Sequence, residues 1–455
     1  MHHHIYPFSS PAFLRRYRWP ALLPLILFFS LPLFSQKQNL KFDHLDIDNG
    51  LSQNNVLCAL QDSRGFMWFG TRDGLNKYDG YKFTLYRNDA KNEYSISNNF
   101  ITDIIEDAKG NMWVATSSGG INRYDREEDR FIHLKHDPKN NNSISSNLVA
   151  CLAEDHEGNI WIGTNDAGLN VLNTATNKIT RYSSNKQDSK TLAENFVKTI
   201  FEDKDHNVWI GTYGGGLHLF NRVDNSFTRF QHDENNPASL SDNKIYKIFG
   251  DSKHRLWIGT DGGGLNLFDN HTRQFHSFKH DIHNSNSIPG NAVYALGEDE
   301  QENLWIGTEN GGLSIFNPAI ELFNNYKHDE LDNTSLSNNS LYTALRDRKG
   351  NMWIGTFSGG VDLFNKDYNK FTHYKHNSDP NSLSNNYVLS IVEDSKKRIW
   401  ISTDGGGLDR FDPQTRKFTH FQHKQGDKNS ICGNYVLNVC EDSKGNIWLG
   451  TWGDG

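Results

Sequence analysis

Five residues stand directly after a repeated threonine and carry side chains suited to holding a small polar ligand: Tyr213, Asp261, Glu309, Phe357 and Asp404. The aromatic faces of Tyr213 and Phe357 can stack on a flat, partly apolar ring such as a sugar. The carboxylates of Asp261, Glu309 and Asp404 accept hydrogen bonds from hydroxyl groups. Other copies of the same position hold Arg72 and Ser117, so the chemistry varies while the frame is kept. Solvated loop residues would present the same pattern, so the five are candidates for ligand contact only.

No other constellation points to chemistry. The pairs His136-Asp137, His232-Asp233, His280-Asp281 and His328-Asp329 occur once per repeat. Equivalent positions on neighbouring repeats are too far apart to share an ion at bonds of about 2 Å, and capping or turn formation explains the pairs better. Asp-Gly-Gly-Gly at 261–264 and 404–407 lacks the following helix of a phosphate loop. No copy holds an acid–base or nucleophile cluster that the others lack, which an enzyme would need. No catalytic residue, metal ligand set or cofactor is expected. Cys58 and Cys151 share a repeat position with a module between them, and Cys432 and Cys440 are expected at opposite ends of one strand. All four are expected to be free core or channel residues, although an exported chain could form disulfides.

The elements that position these residues are written nine times. Trp68, Trp113, Trp161, Trp209, Trp257, Trp305, Trp353, Trp400 and Trp448 recur every 45–48 residues, the signature of a repeat architecture. Aligned on tryptophan, every copy has Asn fourteen residues earlier, Asp six earlier and Thr three later. Each copy holds four apolar stretches, as in Ile160-Trp161-Ile162-Gly163-Thr164, with the β-branched and aromatic enrichment of strands. None is long enough for a helix. Asp442-Ser443-Lys444-Gly445-Asn446 and its equivalents make the first turn, where Gly supplies a positive φ that His206, His254, Glu302 and Lys397 must tolerate elsewhere. Four antiparallel strands in about 48 residues make a β-propeller blade. The fold class is therefore all-β, with the tryptophans filling the space between blades. The loop after the repeated Thr and the long inter-blade loop open on one face, and the position ten before each tryptophan (Cys58, Asp103, Cys151, Thr199, Lys247, Ala295, Thr343) is expected to line a channel.

Ring closure is legible at the ends. Phe42-Asp43-His44-Leu45 resembles a fourth strand with no first three before it, so it is expected to complete the last blade of a seven-bladed ring whose other strands come from the copy around Trp353. Phe371-Thr372-His373-Tyr374 would then open a second ring. The expected domains are a signal peptide at 1–35, a first propeller at 36–368 and the start of a second at 369–455. Arg15, Arg16 and Arg18 precede an apolar run from Ala21 to Phe34, too short for a stable span and interrupted by Pro24 and Pro32; an uncleaved anchor is the alternative. The chain stops where a third strand should follow Trp452, which suggests a fragment. The formal charge of −8 argues against a nucleic-acid surface, which needs clustered Lys and Arg.

The module N-x-V-x-x-I-x-E-D-x-x-G-N-x-W-(I/V)-G-T-x-x-G-G-L-x-x-F strongly resembles the two-component regulator propeller repeat over about residues 40–455. Ala115 and Ser402 depart from the Gly before Thr, and the first copy is one residue short at Asp73-Gly74-Leu75. The resemblance implies the periplasmic sensor region of a large regulator, anchored in the inner membrane through a C-terminal part. It implies a histidine kinase output, homodimerisation in the full-length protein, and a small-molecule or oligosaccharide ligand from nutrient glycans. A diguanylate cyclase output, a secreted propeller enzyme acting as lyase or on glycosides, and an adhesion scaffold are the alternatives.

Overall fold

The computed structural model describes residues 40–367, 374–377 and 379–454. Those residues are strands and turns, apart from one short 3-10 turn at Ile47–Asn49 capped by Asp46. No helix among them is long and apolar enough to cross a membrane. A short strand, β1 (Asp43–Leu45), precedes the first complete blade: β2 (Val56–Gln61), β3 (Met67–Thr71), β4 (Gly74–Tyr78) and β5 (Phe83–Tyr86), hydrogen-bonded in sequence order. The next five copies repeat this sheet.

The copy around Trp353 contributes three strands, and β1 is its fourth. β1 runs antiparallel to Val361–Phe364, with Asp43 opposite Leu363 and Leu45 opposite Val361. The innermost strands pack each on the next, and Leu341–Arg346 of the seventh blade returns to β2. Seven blades thus close with the ends of the ring joined inside one sheet, so every blade packs against a neighbour on both faces and only short edges remain. Beyond the ring, the copy at Trp400 forms a four-stranded sheet and the copy at Trp448 contributes Val436–Glu441 and Ile447–Thr451. These two pack on each other through Trp400, Val436 and Val439. The expected leader at 1–35, the expected boundary at 368 and the segment Phe371–His373 lie outside the described residues.

The residues common to all copies have structural work. The repeated Asp accepts the tryptophan Nε1–H through Oδ2 in every copy, for example Trp161 to Asp155 at 2.8 Å and Trp257 to Asp251 at 2.8 Å. Its Oδ1 accepts two N–H groups of the turn that follows, as Asp155 does from Glu157 and Asn159 at 3.1 and 2.9 Å. One carboxylate therefore ties the first hairpin to the indole. The threonine hydroxyl donates to the glycine carbonyl across the next loop, as in Thr260 to Gly264 at 2.9 Å. The repeated Asn accepts the N–H at the start of the long loop, and its own carbonyl accepts a glycine N–H of the preceding blade: His136 N–H to Asn147 Oδ1 at 2.8 Å, Gly120 N–H to Asn147 O at 3.0 Å. Glycine after the tryptophan lets blades approach, since a Cβ on Gly307 would lie 2.7 Å from the Leu341 Cβ of the next blade. Tryptophan then packs across the junction: Trp68 sits with Ile101, Ile104 and Met112 of blade two.

The four cysteines are free, but only Cys58 and Cys151 are buried; Cys432 and Cys440 are exposed. Cys432 also precedes its strand rather than ending it, because the strand begins at Val436. The histidines of the His-Asp pairs bond through Nδ1 to a carbonyl across the long loop, as His136 does to Ile144 O at 2.7 Å.

The clasp strand carries its own test. His44 Nδ1 lies 2.7 Å from Asp362 Oδ1 and Nε2 lies 3.0 Å from Asn333 O. The bond to Asp362 holds His44 above its ordinary pKa against the pull of burial. Asp362 is fully buried, so His44→Ala leaves a carboxylate inside the sheet without its cation and should cost about 2–3 kcal/mol, below the range for wholly buried pairs because the imidazole is partly exposed. With a raised folded pKa, this contribution is complete below pH 6.5 and fades as pH rises through the folded value. Urea midpoints of wild type and His44→Ala should therefore differ most at pH 6 and converge toward pH 9.

Candidate functional site

The loop after each repeated Thr and the long inter-blade loop meet on one face of the ring. The backbone N–H groups of Tyr213, Asp261, Glu309 and Phe357 donate to the carbonyls of Phe196, Lys244, Ala292 and Ser340, all at 2.9 Å. Four of the five candidates are thus pinned at the rim of consecutive blades, four to seven. Asp404 has the same local bond, to Tyr387 O, but it stands on the first blade beyond the closed ring and is not brought together with them.

The side chains of blades four to six form one network. Tyr213 Oη donates to Asp261 Oδ2. Tyr294 Oη lies 2.7 Å from Asp261 Oδ1 and 3.0 Å from Glu309 Oε2. Its single proton can serve only one of these carboxylates, so Glu309, which is exposed, keeps acceptor capacity open to a ligand hydroxyl or to solvent. The bond to Asp261 pushes the Tyr213 phenol up to about 12. Burial, followed by the bond to Asp261, raises Tyr294 further. Both phenols remain protonated donors at neutral pH.

Aromatic rings extend this network around the rim. Tyr246 stacks on Tyr294 with centroids 3.8 Å apart, Tyr294 lies 5.6 Å from Tyr342, and Tyr342 lies 6.0 Å from Phe357. Cations bracket the arc: Lys198 Nζ sits 4.2 Å from the Tyr246 ring, and the Arg72 guanidinium lies 5.7 Å from Phe357 and 5.5 Å from Phe100. Phe357 is 42% exposed, so an apolar face is open for contact. An arc of aromatic faces interrupted by carboxylates suits a ligand with both ring faces and hydroxyls.

On the first strands of blades one to three stand Cys58, Asp103 and Cys151, with Lys198 and Lys247 acting on them electrostatically. Asp103 accepts N–H bonds from Ile104 and from Leu152 of the next blade, both at 2.9 Å. Burial pushes its carboxyl above the usual range while Lys247 pulls it back, and burial lowers Lys198. A separate cleft of about 550 Å³ lies at the edge of blade five among His254, Arg255, Phe268 and Phe275, at the opposite end of those strands from the aromatic arc.

The family model for the two component regulator propeller matches nine segments: 50–73, 95–118, 143–166, 191–214, 239–262, 287–310, 335–358, 382–405 and 430–453. The chain belongs to the two-component regulator propeller family. It is similar to the extracellular domain of the hybrid two component system BT3049 from B. thetaiotaomicron, at 30% identity and a TM-score of 0.76 over 91% of this chain and 52% of that one. The extracellular domain of BT4673 from the same organism shares the fold at 24% identity and a TM-score of 0.58, over 90% of this chain and 57% of that one. Histidine kinase P4 of Formosa agariphila is 44% identical over 73 residues, which make up 16% of this chain and 5% of that protein. This two-component regulator propeller chain thus spans about half the length of the solved structures it resembles.

Within this family member, the pattern of copies passes over the residues that dominate the rim. Tyr246, Tyr294 and Tyr342 stand eleven before their tryptophans, where strict alternation would aim them away from the channel residues beside them. A β-bulge sits at this point in the blades, as between Ile245 and Lys247 and between Val293 and Ala295. The bulge sets two residues against one and re-aims the extra side chain. The available signal was the run of three tyrosines at one repeat position in blades five, six and seven.

Proposed function

We propose that this chain is the extracytoplasmic sensing region of a membrane-anchored two-component regulator of the histidine kinase type, and that its ligand is an oligosaccharide fragment. The observation that carries the reading is the exposed ring of Phe357 at the end of the Tyr246–Tyr294–Tyr342 arc, beside the exposed carboxylate of Glu309 in the Asp261–Tyr294–Glu309 network. The resemblance to the extracellular domain of a hybrid two component system and the short match to a histidine kinase support the coupling to a kinase. The basic and then apolar leader at residues 15–34 supports export. Signal output, the inner-membrane anchor and homodimerisation then belong to the rest of the full-length regulator.

A thermal-shift panel of neutral and acidic oligosaccharides, with their monosaccharides, tests the ligand class. At least one oligosaccharide should raise the unfolding midpoint in a concentration-dependent way, as expected for a ligand that binds only the folded state, and its monosaccharide should do so less. No shift with any glycan at millimolar concentration would count against the reading.

A further inference from the structure

On the face opposite the aromatic rim, the junction between blades three and four brings two histidines onto one glutamate. In five copies the residue after the turn Asp gives its N–H to a glutamate of the next blade, and in three of these it is serine. Ser252 gives its N–H and Oγ–H to Glu298 at 2.9 and 2.8 Å, and Ser395 does the same to Glu441 at 2.7 and 2.8 Å. Between blades three and four the serine is replaced by His156, whose N–H reaches Glu202 Oε2 and whose Nδ1 reaches Glu202 Oε1, both at 2.7 Å. In the next turn, His206 occupies a position that is glycine in five other copies, at a left-handed φ of 64°. Its Nδ1 is 4.0 Å from the same Glu202 oxygen, and its ring stacks on His156 at 3.8 Å.

The geometry points to a divalent transition-metal site built from His156, Glu202 and His206. One ligand atom from each residue lies within 4.8 Å of the others. Both imidazoles are reachable from solvent, with 34% and 55% of their side chains exposed, while Glu202 is 13% exposed and fixed by the backbone. Serine alone would serve the clasp, and glycine would relieve the backbone at 206, so neither histidine is required by the fold. Two imidazoles and one carboxylate suit Zn²⁺, with Ni²⁺ and Cu²⁺ as chemical relatives, and leave a coordination position for water. Ca²⁺ and Mg²⁺ prefer all-oxygen ligands and do not fit.

Closing on an ion at bonds of about 2.0–2.2 Å requires the His156–Glu202 hydrogen bond to open and His206 to move in slightly. Arg222 opposes the cation, because its Nη2 lies 2.9 Å from the same Glu202 oxygen. It must give up that contact and keep those to Asp155 and Glu157, which Nη1 already makes at 3.3 and 3.8 Å. The bound ion would cross-link two blades and stiffen that sector of the ring.

Titration calorimetry of the full chain with ZnCl₂ tests the site, with His156→Ser and His206→Gly as variants. Each introduces the residue other blades use at that position, so the fold is kept, and each leaves His2–His4 unchanged. Wild type should bind one Zn²⁺ at this site, each variant should lose at least tenfold in affinity, and CaCl₂ should give no matching isotherm. Zn²⁺ should also raise the unfolding midpoint of wild type and not of the double variant. Absence of Zn²⁺ binding at 1 mM metal, or equal affinity in wild type and both variants, would overturn the proposal.

Discussion

Trp257→Ala should destabilise the ring by about 3–5 kcal/mol, the range for removing a large aromatic from a packed core. Trp257 is 1% exposed and sits among Leu265, Val293, Leu296, Leu304, Ile306 and Phe316, which come from blades five and six. Truncation leaves a void between two rigid sheets that cannot both collapse into it, and the void removes dispersion contacts as well as apolar burial. It also takes away the indole N–H that Asp251 accepts at 2.8 Å. Trp448 holds the same repeat position and the same bond to its Asp, at 3.0 Å, but is 61% exposed. Trp448→Ala should therefore cost under about 1 kcal/mol, as surface substitutions do. Urea denaturation of both variants checks the contrast. Similar losses at the two positions would mean that the Asp–Trp bond they share, rather than packing between blades, accounts for the cost of losing the tryptophan.

Acid should weaken the fold through His218, and His218→Asn should remove that sensitivity. The third strand carries Asn at this position in blades one, two, three and five, and its Oδ1 accepts a loop N–H, as Asn122 does from Ser97 and Asn170 from Ser145, both at 2.8 Å. In blade four His218 takes over with Nε2, which accepts the Ala193 N–H at 3.0 Å. An accepting nitrogen must be unprotonated. Burial, reinforced by Arg229, accordingly lowers the imidazole pKa to about 4. The unfolded chain binds a proton at about 6.5 that the folded chain refuses, so stability is full above that value and is lost as pH falls toward 4. The gap corresponds to about 3 kcal/mol. Carboxylates such as Asp62, whose pKa burial would raise but whose bonds from Trp68 and Arg126 lower it overall, add their own acid slope. They add it equally to both proteins. Urea midpoints at pH 8 and pH 4.5 should show a much smaller drop for His218→Asn than for wild type; equal drops would contradict the assignment. The sign is opposite to that of His44, whose contribution fades with rising pH.

The parts of the fold visible in the sequence are those that every blade needs. Asp155, Trp161, Thr164 and Asn147 recur because each copy must tie a hairpin, fill a junction, close a loop and bond to its neighbour. The clasp at Phe42–Leu45 was visible for the same reason, as a fourth strand without a sheet. The candidate site is harder to read because it rests on differences between copies and on side chains brought together across blades. Tyr213, Asp261, Glu309 and Phe357 were marked by variation after a fixed Thr, whereas Tyr246, Tyr294 and Tyr342 were hidden by a bulge that breaks the two-residue period. Asp404 matched its equivalents locally, yet ring closure at the seventh blade separates it from them. His156, Glu202 and His206 are scattered along the chain and meet only because consecutive blades are stacked.

Calorimetric titration of an oligosaccharide that raises the unfolding midpoint, into wild type, Asp261→Ala and Asp404→Ala, tests the proposed sensing role most directly. Asp261 joins two tyrosines at the rim, and loss of a charged hydrogen-bonding partner is worth about 1.5–3 kcal/mol. Asp261→Ala should therefore weaken binding at least tenfold while Asp404→Ala leaves it unchanged. Equal affinity in wild type and Asp261→Ala, or a loss confined to Asp404→Ala, would place the ligand away from the aromatic arc and contradict it as the sensing surface.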